Sequence, residues 1–143
     1  MDFDNVDAAG FGRSLTGLGL NLLVRDVPRE AAFLVAVFGM RAFQVSRDFA
    51  IMQYGGQVFQ LHADATYHSN AYFGLLPEIG ARGAGAEIRL YDSDPDHAVD
   101  RAVAFGRDVS VLAHPADKPH GLREAYILCE NGYAWVPSRA LQG

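Results

Sequence analysis

Val27-Pro28-Arg29-Glu30-Ala31, running on to Phe38-Gly39, and Asp94-Pro95-Asp96-His97-Ala98, running on to Phe105-Gly106, decide the fold between them. Sliding one half of the chain over the other lays Pro28 on Pro95, Ala31 on Ala98, Phe38 on Phe105 and Gly39 on Gly106. Each segment follows an apolar stretch that ends in an acid, Leu20 to Asp26 in one case and Ile88 to Asp94 in the other. An Asp able to cap, a Pro near the first turn and a closing Gly are the start and stop signals of a helix. The same signals, with Pro, Ala, Phe and Gly at one fixed spacing and the capping Asp within a residue of it, point to an internal duplication.

After each Gly the hydrophobic period changes from helical to strand-like. In the first half Arg41 to Ser46 alternates, Ala50 to Tyr54 follows, and Gly55-Gly56 turns the chain into Gln57 to His62. In the second half the pattern predicts a strand at Val109 to Leu112 and a loop with two prolines from Ala113 to Gly121. A strand from Leu122 to Cys129, a turn at Glu130-Asn131-Gly132 and a last strand from Tyr133 to Val136 complete it. Each half reads β-α-β-β-β. The expected organisation is an N-terminal arm at 1–18, a first module at 19–62, a linker at 63–86, a second module at 87–138 and a tail at 139–143. Pro77 and the Gly80 to Gly85 cluster punctuate the linker.

With 143 residues, one such pair of modules fills the chain, and a domain of this size buries roughly two-thirds of its unfolded surface without needing staples. The charge balance of 12 basic against 17 acidic residues, net -5, leaves no basic footprint for phosphate backbones, so no nucleic-acid partner is expected. The longest strongly apolar run, Ala31 to Phe38, is too short to cross a bilayer, so no membrane partner is expected either. Asp2 and Asp4 stand where a secretion signal carries basic residues, and a single cysteine, Cys129, forms no internal disulfide. A cytoplasmic protein is expected.

Pro119-His120-Gly121-Leu122-Arg123-Glu124-Ala125-Tyr126, followed by Asn131-Gly132-Tyr133-Ala134-Trp135, resembles the "W-G-x-R-E … D-P-D-G-Y-x-W" segment of bleomycin-resistance-type proteins. Leu23-Val24-Arg25-Asp26 and Phe38-Gly39-Met40 are similar to the "v-x-D" and "L-G-F" pieces of the same group. On these motifs the chain resembles the vicinal oxygen chelate superfamily of glyoxalase I, bleomycin-resistance proteins and extradiol dioxygenases, over about residues 19 to 138. It departs from the pattern at His120, where Trp is usual, and at Cys129-Glu130-Asn131, which replaces Asp-Pro-Asp. The resemblance implies an α+β fold in which two tandem βαβββ modules form a cupped mixed β-sheet with the helices on its outer face.

In metal-dependent members four side chains, mostly His, Glu or Gln, rise into the cup from the first and last strand of each half. By that resemblance the positions here are Gly19, Gln60, Glu87 and Val136. Strand alternation turns Asn21, Leu23 and Arg25, then Val58, Gln60 and His62, then Glu87, Arg89 and Tyr91, toward the cup, with Ala134 and Val136 beside them. Two donors of four fall short of the roughly three protein ligands that a divalent ion with an open position takes. No metal and no cofactor is therefore expected. The site expected for a small-molecule ligand comprises Asn21, Arg25, Gln60, His62, Glu87, Arg89, Tyr91 and Val136. Arg25 and Arg89 offer planar forks to a carboxylate or phosphate, which predicts an anion on their side of the cup. Alternatively Arg25, Glu87 and Arg89 form a structural ion network, which Arg123 and Glu124 can join.

The remaining signals are weaker. Phe33, Phe38, Phe43, Phe59, Phe105 and Trp135 read as core. Tyr67, Tyr72 and Phe73 on the linker are candidates to roof a pocket, and His68 lies beside them. No P-loop and no G-x-S-x-G elbow is present. The helix spanning Ala31 to Phe38 is apolar all round, which predicts a second subunit against it and hence a homodimer; many members of the resembled family are dimers. Three functions compete: a metal-free small-molecule-binding protein, a divalent-metal-dependent lyase, isomerase or dioxygenase with a relocated site, and a metal-independent enzyme using Glu87 or His62 as general base.

Overall fold

A computed structural model describes residues 1–67, 73–77, 80–83 and 85–143. The chain divides into two compact units, Met1–Val35 with Gly39–Gly74, and Leu75–Gly143 with the helical residues Ala36–Phe38. The first unit holds α1 (Ala8–Ser14), β1 (Asn21–Val24), all but the last three residues of α2 (Val27–Phe38), β2 (Arg41–Phe43), β3 (Phe49–Tyr54) and β4 (Gln57–Ala63). The second holds β5 (Glu87–Leu90), α3 (Pro95–Phe105), β6 (Ser110–Asp117), β7 (Leu122–Leu128) and β8 (Ala134–Ala140). Their four-stranded sheets run β1-β4-β3-β2 and β5-β8-β7-β6, so the halves share one topology. In each, the first and last strands of the half pair in parallel and the other pairs are antiparallel. The α+β fold and the βαβββ repeat are as the sequence predicts. Among the described residues no helix is long and apolar enough to cross a membrane.

The repeated helix signals act as expected. The Asp26 carboxylate accepts from the Arg29 amide, Pro28 sits in the first turn, and Gly39 closes α2 at φ 68° with its N–H on the Leu34 and Val35 carbonyls. Asp94 caps α3 in the same way through the Asp96 and His97 amides. In α2 the buried stripe follows the helical period through Val27, Glu30, Ala31, Leu34 and Val37, so period overrides residue type. Glu30 is buried, whereas Ala32 and Val35 are exposed in the single chain. The helix therefore has a solvent face that its composition hides.

Three element boundaries differ from expectation. The first strand after α2 stops at Phe43, short of Ser46, because Gln44 adopts the left-handed region at φ 52°. The segment from Ala113, predicted as loop, continues β6 to Asp117; β6 is an edge strand whose register shifts twice, and an edge tolerates Pro115. β8 runs to Ala140, past Val136 and into the expected tail. Pro137, which has no N–H, sits inside it where the β7 ladder skips from Trp135 to Ser138. The N-terminal arm carries α1, capped by Asp7. Of the linker residues, Tyr67 and Phe73 fall in short 3-10 turns at Asp64–Tyr67 and Phe73–Leu75, while His68 and Tyr72 lie outside the described residues.

Candidate functional site

Register shows which side chains share a sheet face. In the first unit Asn21 lies opposite Gln60, and Gln60 opposite Ile51, which pairs with Phe43. The next row is Leu23, His62 and Phe49. The alternate β4 residues Phe59, Leu61 and Ala63 are buried on the opposite face.

The face carrying Gln60 and His62 is covered by the chain's own N-terminal segment. Phe11 of α1 is buried with Phe43 and Ile51, and Phe3, Val6, Phe49 and Val58 pack against them. The rings meet mostly edge to face: Phe3 and Phe11 at 6.1 Å and 83°, Phe11 and Phe49 at 6.3 Å and 72°. Gln44 fixes the segment, its side-chain amide donating to the Phe3 carbonyl at 2.7 Å and the Val6 carbonyl at 2.9 Å. Two hydrogen bonds offset the cost of about 1 kcal/mol that a left-handed non-glycine backbone carries.

Between α1 and the sheet lies a cavity of about 340 Å³, within the size range of small-molecule sites. Phe11, Gly12 and Leu15 wall one side, and Phe49, Ile51, Gln60 and His62 the other. The His62 Nε2 donates to Gln60 Oε1 at 2.8 Å, and its ring lies 5.2 Å from that of Phe49. Burial pushes the His62 pKa below its ordinary 6.5. Below about pH 6.5 the unfolded chain takes up a proton that the folded chain resists, so stability falls as pH drops from 6.5 toward the lower folded value. A thermal melt series is expected to show a fall of a few degrees over this window, and His62→Gln to flatten it.

The second unit presents a charged face. Glu87 lies opposite Ala134 and Arg89 opposite Val136. The Arg89 guanidinium bonds the Glu124 carboxylate and lies 3.5 Å from Glu87. His120 Nε2 approaches Glu124 Oε2 at 3.1 Å, and the Tyr126 phenol is close enough to Glu87 and Arg89 to interact with both. Burial works to raise the Glu124 pKa, but the His120 hydrogen bond and the Arg89 charge outweigh it and hold the carboxyl below its ordinary value. The hydrogen bond to Glu87, together with burial, pushes the Tyr126 phenol up.

Arg89 is therefore engaged by two carboxylates and does not present an open fork to an anion. The ion-network alternative describes it, with Glu124 as partner. Arg123 points elsewhere: its guanidinium bonds Asp96 of α3 and Asp117, on the other face of β7.

The expected site residues thus separate. Gln60 and His62 share one cavity and Asn21 is their exposed neighbour; Arg25 is half-buried just past the end of β1. Glu87 and Arg89 belong to the ion network. Tyr91 lies one residue past β5 and is exposed, and Val136 is fully buried, so neither forms an open wall with Arg89. Phe11, Gly12, Leu15, His120 and Tyr126 are additions, while Glu124 joins the network as the ion-network alternative allowed. The spacing of Glu124 and Tyr126, two apart on one strand, puts them on one face of β7 but does not place them beside Glu87; the two glycines in Ala8-Ala9-Gly10-Phe11-Gly12 hide α1.

A divalent ion fits these positions poorly. Gly19 precedes β1, and the residue in register with Gln60 is Asn21, so the first unit offers two amides. In the second, Glu87 faces a methyl group at Ala134, and Val136 faces Arg89. No group of three His, Cys, Asp or Glu side chains suited to a metal occurs among the described residues.

The architecture matches solved structures along most of its length. A glyoxalase/bleomycin resistance protein/dioxygenase family enzyme from Burkholderia phytofirmans aligns with a TM-score of 0.71, at 17% identity, over 85% of this chain and 96% of its own. A glyoxalase/bleomycin resistance protein/dioxygenase from Nocardioides gives 0.65 at 22% identity, over 93% and 91%. The fosfomycin resistance protein FosX from Mesorhizobium loti gives 0.59 at 19%, over 88% and 93%. The chain has the vicinal oxygen chelate fold that its Pro119–Tyr126 and Asn131–Trp135 segments imply. No protein-family model and no curated protein matches the sequence.

Proposed function

We propose that the chain is a small-molecule-binding protein of the glyoxalase/bleomycin-resistance type, which holds its ligand against a sheet face without a metal. The observation that carries this reading is the chemistry of the positions where the fold elsewhere holds an ion: amides in the first unit, and in the second a carboxylate beside an arginine. A guanidinium this close repels a divalent cation, and the two amides are weak oxygen donors. FosX, a fosfomycin resistance protein, has this fold, so recognition of a small molecule is within its range.

Protein purified without chelators is expected to carry no stoichiometric transition metal, and excess EDTA to leave its melting temperature unchanged. One tightly held Fe, Zn, Ni or Mn per chain, lost in Glu87→Ala, would overturn the reading.

A further inference from the structure

We propose that the cavity between α1 and the first sheet is the ligand site, and that it takes an uncharged aromatic molecule carrying a hydroxyl or carbonyl group. The inference rests on the metal-free binding reading and names where and what the chain binds. The cavity's about 340 Å³ is bounded by two aromatic rings, Phe11 and Phe49, with Ile51 and Leu15 completing apolar walls. Flat rings pack against such walls in offset or edge-on geometry, as the surrounding phenylalanines already do. Polar contacts come from Gln60 and His62, joined to each other on the sheet side. They can orient a hydroxyl or carbonyl group.

Charge selects further. Among the described residues no Lys or Arg lines the cavity, and the Asp7 carboxylate there already accepts from the Gly10 amide at 2.7 Å as the cap of α1. An anionic ligand meets no counter-charge there, and losing its water costs more than neutral contacts return. His62, held toward its neutral form by burial, adds no cation near neutral pH. The N-terminal segment is thereby a wall of the site, anchored through Gln44.

Gly12 provides the decisive variant. A Cβ built there meets nothing within 4 Å, and the residue lies on the cavity wall, so Gly12→Phe has room for a ring at the edge of the cavity and tests whether the ligand sits there. It also removes a helix-interior glycine, which favours folding. Calorimetric titration with 1-naphthol, 1-naphthoate and naphthalene is the test. For the wild type, 1-naphthol is expected to bind one per chain, and 1-naphthoate at least about tenfold more weakly. Gly12→Phe is expected to fold with an equal or higher melting temperature and to bind none of the three. Gln60→Leu is expected to weaken 1-naphthol about tenfold while leaving naphthalene unchanged, a split that mere loss of packing does not produce.

Failure of 1-naphthol to bind, equal binding by Gly12→Phe, or a preference for 1-naphthoate overturns the inference. If a metabolite and antibiotic library yields a ligand whose binding Gly12→Phe leaves intact, the binding function stands and this site falls. If the library yields no ligand, the binding function itself falls.

Discussion

Replacing Gly132 with alanine is expected to lower the melting temperature by on the order of 10 °C or more. Gly132 ends the turn between β7 and β8 at φ 79°, where a side chain strains the backbone by roughly 1–2 kcal/mol. A Cβ there would lie 2.2 Å from the Ala81 Cα and 2.8 Å from the Arg82 nitrogen, both main-chain atoms. The linker segment would have to withdraw. It is held by two bonds, from the Arg82 amide to the Asn131 carbonyl at 3.0 Å and from the Gly83 amide to the Gly132 carbonyl at 3.1 Å. Strain and lost hydrogen bonds together come to about 3–5 kcal/mol, a large share of the roughly 5–15 kcal/mol that keeps a domain folded. A thermal melt within two or three degrees of the wild type would contradict this.

The second large effect is expected at Glu124. Its side chain is 3% exposed and bonded to Arg89, which is itself 21% exposed. Glu124→Leu strands most of that guanidinium with Glu87 as its remaining carboxylate, 43% exposed. Removing one partner of a buried pair costs about 3–5 kcal/mol, and the residual exposure of Arg89 reduces that to about 2–4 kcal/mol here. The double variant Glu124→Leu/Arg89→Met is expected to recover most of the loss, because no charge is then left stranded. Urea midpoints of the two single variants and the double decide it; a double variant no more stable than Glu124→Leu sinks the argument. The pH direction follows from the same contact. The folded Glu124 pKa lies below its ordinary 4.5, so the pair's stabilisation is present above about pH 4.5 and is lost as pH falls toward the folded value.

The fold was legible because its punctuation is chemical. Asp26, Pro28 and Gly39 recur as Asp94, Pro95 and Gly106, and each does in space what its type allows. Strand faces were legible for the same reason: alternation put Gln60 with His62 and Glu87 with Arg89, and register agrees. What stayed hidden depends on partners distant in sequence. Val136 follows the alternation yet is fully buried, and Tyr91 follows it past the end of β5 into solvent. Glu124 joins the charge network as the sequence allowed, but its contact with Arg89 depends on the β5-β8-β7 strand order, which no local pattern reveals. α1 was least legible, since seven residues with two glycines have little helix propensity, and Phe11 is held by Phe43 and Ile51 instead.

The central claim is that this chain binds a small molecule without a metal, and thermal-shift screening of EDTA-stripped protein tests it most directly. A metabolite and antibiotic library would be run in duplicate, with EDTA and with added Zn, Ni, Mn or Fe(II). At least one compound is predicted to raise the melting temperature in proportion to the logarithm of its concentration, equally in both conditions. Stabilisation that appears only when a divalent ion is restored, at one ion per chain, would contradict the account.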